Sequence, residues 1–286
     1  MRFAQGPFVK SAIAVACLLV ACVTGDATSI RRTEVPADVL LERLRLAPDT
    51  NQARHDALVK LFAHNGCTTT DLDVPHEPPN VLCVVPGESD SIIFVGAHFD
   101  KVKDGHGVVD NWSGVSLLPS LLQALKITKR RHTFVFMGFT AEEKGLVGSN
   151  YYVRHLAKTD RAKIHAMIAI DTLGLSPTKI WTSHADKALL IDLVQVSRSL
   201  NLPLSGMDVD YVGDTDSTPF RDAKIPTITF HSITNETWRI LHSDKDTYAA
   251  IDEKAYVDSC HLIADYVAYL DEVLDTDSTA TTQPTK

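Results

Sequence analysis

The chain reads as an α/β protein: one domain whose sheet is at least partly parallel, with helices on both of its faces. Two observations carry that expectation. Short apolar runs rich in β-branched and aromatic residues recur along the sequence, at Val81–Val85, Ile92–Val95, His132–Phe139, Ile164–Ile170 and Ile225–Phe230. Longer stretches with helical spacing separate them, so strands alternate with helices, and parallel strands joined by helical crossovers carry helices on both faces. Composition adds a bound. With 286 residues, 44% of them hydrophobic and 22% charged, no internal repeat and no second compositional regime, a single domain over residues 35–273 is expected.

In order, the N-terminus reads as a targeting segment. Arg2 and Lys10 precede an uncharged apolar run, Ala12–Val23, which is too short to span a bilayer and fits a signal peptide over residues 1–22. Leu19-Val20-Ala21-Cys22 resembles a lipobox, in which Cys22 would be lipidated and tether the chain through a flexible linker at 23–34. An exported protein is then expected, periplasmic, outer-membrane or secreted. Residues 36–65 carry a helical pattern (Val39, Leu40, Leu44, Leu58, Val59, Leu61, Phe62) that stops at Asn65-Gly66. Val81–Val85 is a strand closed by the turn signal Pro86-Gly87.

Ile92–Val95 is a buried strand that breaks at Gly96 and delivers His98 and Asp100 at its end. A glycine-spaced loop leads to Asp110-Asn111 and a helix from Ser113 to about Ile127. The aromatic strand His132–Phe139 runs into Thr140–Gly145, then a helix at about 148–157. Ile164–Ile170 ends on Asp171, a helix covers about 185–200, Ile225–Phe230 is the last strand, and Tyr256–Val273 closes the domain with Leu262, Ile263, Tyr266, Val267 and Leu270 on one face. The polar tail, 274–286, is expected to be disordered. Cys67 and Cys83 are a plausible local disulfide in an exported chain; buried free thiols are the alternative, and with Cys260 the odd count beyond Cys22 leaves at least one thiol unpaired.

Net charge is −8, and the one basic block, Lys129-Arg130-Arg131, reads as a solvated helix end, so nucleic acid is not an expected partner. The chemistry gathers instead at strand exits. His98, Glu142-Glu143 and Asp171 each follow a strand, while Asp110 and His242 lie on loops; in an open α/β sheet such ends converge at one edge. Two His, two Asp and one Glu form a ligand set that suits zinc, often in pairs, although cobalt or manganese would also be admitted. Asp110, Glu143 and Asp171 bring three negative charges against the four positive charges of two zinc ions, a balance that favours hydroxide. Glu142 would bring the total to zero and act as a general base. Asp100, two residues from His98, could bond its free ring nitrogen and fix the tautomer. A solvated charge cluster along the sheet edge is the bland alternative.

Five segments in this order, H-F-D, V-V-D-N-W-S-G, A-E-E, I-D-T-L-G and L-H-S-D-K-D-T, resemble the co-catalytic di-zinc aminopeptidase family, whose relatives include glutamate carboxypeptidases and glutaminyl cyclases. The resemblance spans roughly residues 80–270. It implies a single-domain, three-layer α/β/α sandwich with a mixed, mostly parallel central sheet, and two zinc ions bridged by Asp110, one also held by His98 and Asp171, the other by Glu143 and His242. Glu142 would deprotonate a bridging water, Asp100 would orient His98, and peptides would be hydrolysed from the N-terminus.

Two departures matter. Val109 stands where many members carry a second acid, and T-D-S-T-P-F keeps Asp216 but has Ser217 where the family has His. The second weakens the rival reading as a glutaminyl-peptide cyclotransferase; a catalytically silent binding domain is the further rival. Asp216 and Tyr211 are candidate substrate-binding residues, and Tyr211 reads equally as a loop aromatic packed on the core. His106, His231, Trp112 and Trp238 invite roles that ordinary turns, a satisfied buried histidine and core or rim aromatics would explain as well. Asp244 and Asp246 read as organisers of the His242 loop. Side-chain preference and oligomeric state lie outside these motifs.

Overall fold

A computed structural model describes residues 32–126 and 129–276. The expected signal peptide, Cys22 and most of the linker and polar tail fall outside them. Eight strands form one sheet: β1 (Thr70–Leu72), β2 (Asn80–Val85), β3 (Ile92–His98), β4 (Thr133–Phe139), β5 (Ile164–Ile170), β6 (Lys179–Ile180), β7 (Ser205–Gly206) and β8 (Thr227–His231). Their spatial order is β1-β2-β4-β3-β5-β8-β6-β7. The four central strands, β4, β3, β5 and β8, are mutually parallel, while β2 and β6 flank them antiparallel. The sheet is therefore mixed and mostly parallel at its centre. β4 lies on one side of β3 and β5 on the other, so the winding reverses at β3, and a crevice opens beyond the strand ends at such a switch.

The helices are α1 (Ala37–Arg45), α2 (Asn51–His64), α3 (Ser113–Val115), α4 (Leu118–Leu125), α5 (Val147–His155), α6 (Lys158–Arg161), α7 (Lys187–Leu200), α8 (Ser217–Asp222) and α9 (Glu253–Val273). Period-two alternation along the strands divides the apolar side chains into two cores. Ile93, Val95, Phe134, Phe136, Ile168 and Ile170 face the layer built from α1, α2, α4, α7 and α9. Phe94, Val135, Met137, Phe139, Met167 and Ala169 face Val153 of α5 and Phe220 of α8. This is the expected three-layer sandwich.

The differences from the sequence reading are local. β3 does not break at Gly96 but continues to His98. A Cβ at Gly96 would sit 2.5 Å from the Phe139 ring, so the glycine answers a packing demand rather than a turn. The helical pattern over 36–65 is two helices, interrupted around Pro48 and restarted by Thr50, whose side chain caps Ala53 N. The edge strands β1 and β7, and β6 beside β7, are two or three residues long and show no alternation that would announce them.

Cys67 and Cys83 form a disulfide with Cα atoms 6.2 Å apart, joining the turn after α2 to β2, and Cys260 is a buried free thiol. Closing a loop of this length constrains the unfolded chain by about 3 kcal/mol. Asp271 of α9 accepts from His132 N and Nδ1 at 2.8 and 3.1 Å. The first tail residues stay attached, since His132 Nε2 meets Asp275 O at 3.2 Å and Ser91 Oγ donates to Thr276 O at 2.6 Å.

Candidate metal centre

His98 ends β3 on the face that also carries Phe94, and Asp171 follows β5 with the parity of Met167 and Ala169, so both project on the same side of the sheet. β4 passes through Thr140 into a tight turn at Glu142–Lys144, entered by Ala141 at φ 52°. The loop after β3 brings Asp110, and the long connection after β8 brings His242 at φ 56°. All of these groups lie beyond the carboxyl ends of the four central parallel strands.

They meet. His98 Nε2 lies 3.2 Å from Asp110 Oδ1, 3.5 Å from Asp171 Oδ1 and 3.9 Å from Glu142 Oε2. His242 Nε2 lies 3.2 Å from the other oxygen of the same carboxylate, Asp110 Oδ2, and 2.9 Å from Glu143 Oε2. Asp110 is therefore shared, one oxygen facing each imidazole. The adjacent Glu142 and Glu143 turn to different histidines. Potential ligand atoms of His98, Glu142 and Asp171 fall within 4.8 Å of one another, as do those of His98, Asp110 and Glu143.

Charged and amide side chains fix the backbone behind these groups. Asp100, buried, accepts from Glu142 N at 3.0 Å and Glu143 N at 3.3 Å, so its carboxylate braces the Glu-Glu turn. His98 Nδ1 meets the Asp100 backbone oxygen at 3.2 Å, and the nearest Asp100 carboxylate oxygen is 3.6 Å away. Contact between Asp100 and His98 is thus made first through the main chain. Asn111 donates to Ile170 O and accepts from Gly114 N and Thr172 N, tying the Asp110 turn to the end of β5. Asp246 reaches beyond its own loop to accept from Val109 N at 2.6 Å and Asp110 N at 3.3 Å. Arg54 of α2 donates to Phe99, His106 and Gly107 oxygens.

The electrostatics are those of a cation site. Burial works against a charge on His98, yet Glu142, Asp100, Asp110 and Asp171 together hold its imidazole well above the usual value. Bonds to Asp110 and Glu143 push His242 up to about 10. Burial raises Asp110, but its bonds to His242 and His98 outweigh that and hold the carboxyl below the ordinary range. Burial, with Asp171, Asp216 and Asp110 nearby, lifts Glu142 well above the usual carboxylate range. Among the described residues, Asp110, Glu143 and Asp171 form ion pairs with imidazoles and with no lysine or arginine. Glu143 Oε1 is buried without a hydrogen-bond partner. Four carboxylates, one of them with an orphaned oxygen, and two imidazoles fit divalent cations such as zinc in chemistry.

The cluster forms the floor of a cavity of about 210 Å³. Its wall is apolar, built from Leu146, Trp181, Val209, Val212, Ile233 and Leu241. His231 belongs to this wall and is also satisfied: Nε2 meets Met207 O at 2.9 Å, and Nδ1 accepts from Ile233 N at 3.1 Å. Tyr211 is 53% exposed, donates to Asn235 Oδ1 and packs edge-on against Trp238 at 6.2 Å, outside the cavity lining. Asp216 is buried behind the floor, where Thr215 and Asp214 reach the cavity instead, and burial pushes its carboxyl up to about 7. Ser217 turns inward to Thr229 Oγ1 at 2.8 Å. Trp112 is core, its indole donating to Arg43 O.

Sequence reasoning did not single out Arg54, the bracing role of Asn111 or the apolar wall. A signal for Arg54 was present: it precedes Leu58 and Phe62 at intervals of four, on the buried face of α2.

Comparison with known proteins bears on this geometry. Residues 80–267 match the family described as peptidase family M28. Aminopeptidase YwaD of Bacillus subtilis is 25% identical over 179 residues, covering 61% of this chain and 38% of that protein. The chain thus spans well under half the length of the curated relatives it matches, 38% and 32% for the first two. Among solved structures, the LapA aminopeptidase of Legionella pneumophila superposes with a TM-score of 0.71 at 17% identity, over 84% of this chain and 73% of that one. The glutaminyl cyclase of Porphyromonas gingivalis gives 0.64 at 18% identity, over 83% and 97%. At these identities the superpositions speak to the fold.

Proposed function

The chain belongs to peptidase family M28, and from that premise we propose that it is an exported, zinc-dependent exopeptidase, an aminopeptidase that hydrolyses N-terminal residues from peptides. One observation carries the reading: the two oxygens of Asp110 face two imidazoles at 3.2 Å each, the arrangement a bridging carboxylate requires. His98 and Asp171 would hold one zinc with Asp110, and His242 and Glu143 the other. Zinc at both positions would acidify a shared water and polarise the scissile carbonyl.

The remaining work falls to this chain's residues. Glu142, partly buried beside the cluster with its Oε2 3.9 Å from His98 Nε2, takes the proton of the attacking water and returns it to the leaving amine. Asp100 holds the Glu142 and Glu143 amides, so base and ligand keep their separate directions. The wall of Trp181, Val209 and Ile233 receives an apolar side chain and keeps water from the reacting carbonyl. Export is supported by the Cys67–Cys83 disulfide, which suits an oxidising compartment. Among the described residues no helix is long and apolar enough to cross a membrane.

The test uses the chain from residue 24, zinc-loaded, on a pooled peptide library read by mass spectrometry. Stepwise loss of N-terminal residues, abolished by chelation, is expected. Loss of ammonia from N-terminal glutamine without shortening would replace the reading with a cyclase, against which the inward-turned Ser217 stands. An untouched library would point to a silent binding domain.

A further inference from the structure

The loop from Phe99 to Gly107 joins two of the proposed zinc ligands, His98 and Asp110. It contains Lys101, Lys103, Asp104 and two glycines, a composition with no preference for one shape. One guanidinium closes it. Arg54, fully buried on α2, donates from Nη1 to Phe99 O at 3.3 Å and from Nη2 to His106 O at 2.6 Å and Gly107 O at 2.9 Å. Its Nε donates to Pro48 O at 2.9 Å, and its Cζ lies 5.6 Å from the Trp112 ring centre. A Cβ at Gly107 would come 2.9 Å from Arg54 Nη2, so the backbone is pressed against the cation. On the other side Asp246, 2% exposed, accepts the amides of Val109 and Asp110. It sits four residues after His242, on the loop that carries the second zinc's histidine.

A buried cation and a buried anion, from two remote elements, thus hold the entry to Asp110 from both sides. Burying charge costs several kcal/mol before any return. We propose that Arg54 and Asp246 are positioning residues for the bridging carboxylate: they fix the Asp110 backbone so that its two oxygens meet two ions, and their effect is read in metal affinity. The proposal rests on the two-zinc reading above. Arg54 reaches both ends of the loop through one planar fork, which a lysine ammonium does not reproduce. Asp246 accepts two amides, and an asparagine there would turn a donor toward one of them.

The experiment measures zinc stoichiometry and affinity by competition with a chromogenic chelator, for the parent, Arg54→Lys, Asp246→Asn and the double variant. The melting temperature of each zinc-free chain is recorded in parallel, and binding is read well below it. Each single change is expected to weaken zinc about 10–100-fold, the usual cost of losing a partner behind a ligand. The double variant should lose less than the product of the two, because both act on one turn. Variants that melt earlier yet bind zinc as the parent does would overturn the proposal alone. Fully multiplicative losses would overturn the shared brace. A parent chain that takes up no zinc would overturn the metal reading and this proposal together. Should Arg54→Lys fail to fold, Asp246→Asn, near-isosteric, decides the matter.

Discussion

His98 and His242 face the two oxygens of one carboxylate at the same distance, 3.2 Å, yet they are held in opposite ways. The His98 side chain is 2% exposed at the end of a central strand, with its second nitrogen bonded to the Asp100 backbone. The His242 side chain is 55% exposed, on a loop, at a left-handed φ of 56°. Their partners reverse the pattern, with Asp171 the more open of the two outer carboxylates at 20% and Glu143 the more enclosed at 7%. Each proposed zinc position therefore opens to the cavity through one ligand and is anchored by the other. The difference teaches that the inner position is built with the sheet, whereas the outer one is completed by a loop and should exchange more readily.

The largest expected effect removes what the two positions share. Asp110→Ala should abolish turnover and weaken both ions by more than the ~100-fold that an outer partner costs. Metal analysis that finds one ion at parental affinity would show the positions to be independent. Glu142→Ala touches neither position; it should keep both ions and lose about 10²-fold or more in kcat. Near-parental turnover in the metal-replete variant would remove Glu142 from its role.

The comparison itself is sharpened by His242→Ala against His98→Ala. The first should lose one ion and cost the zinc-free chain only the half-exposed pairing of His242 with Asp110 and Glu143. The second should also cost stability, about 1–3 kcal/mol, because a buried acceptor loses its donor. Equal melting temperatures for the two zinc-free variants would erase the distinction drawn here.

The last contrast sets the centre against its wall. Burial lowers the His231 pKa to about 4, and its bonds explain why the neutral ring is kept, since Nδ1 must accept from Ile233 N. The folded value lies below the unfolded one of about 6.5. His231 therefore contributes stability that is present above pH ~6.5 and lost as pH falls toward ~4, on the order of 3 kcal/mol in all. Melting curves of the zinc-free chain and of His231→Gln across that window should converge as the pH drops. Parallel curves would show that His231 carries no such linkage.

Much of the centre was legible in the sequence because strands here end on the residues that matter. An apolar run followed at once by His98 or Asp171 announces both the strand and its cargo. Asp110, Glu143 and His242 were proposed through their motifs, and the structure draws them together. The braces were harder to read. Arg54 resembles any helical arginine until its alignment with Leu58 and Phe62 is noticed. Asp246 was read as holding its own loop and instead holds the Asp110 turn. Asp100 was matched to His98, though its carboxylate bonds the Glu142 and Glu143 amides. Gly96 looked like a break because glycine often marks one; nothing local records that Phe139 would occupy the space of its side chain. Tyr211, placed by its nearness to the T-D-S segment, stands on the rim with its hydroxyl on Asn235.

The described chain begins where Thr33 N donates to Ala124 O, near the end of α4, and stops where Thr276 O accepts from Ser91, the residue before β3. Both places lie toward the edge of the sheet at which the central strands start, and the cavity opens at the edge where they finish. An attachment made directly at Thr33 or Thr276 would sit on the side of the molecule away from the cavity. Coupled to a surface that way, the protein would present its mouth to the surrounding solution, and bulky peptides could approach without meeting the attachment.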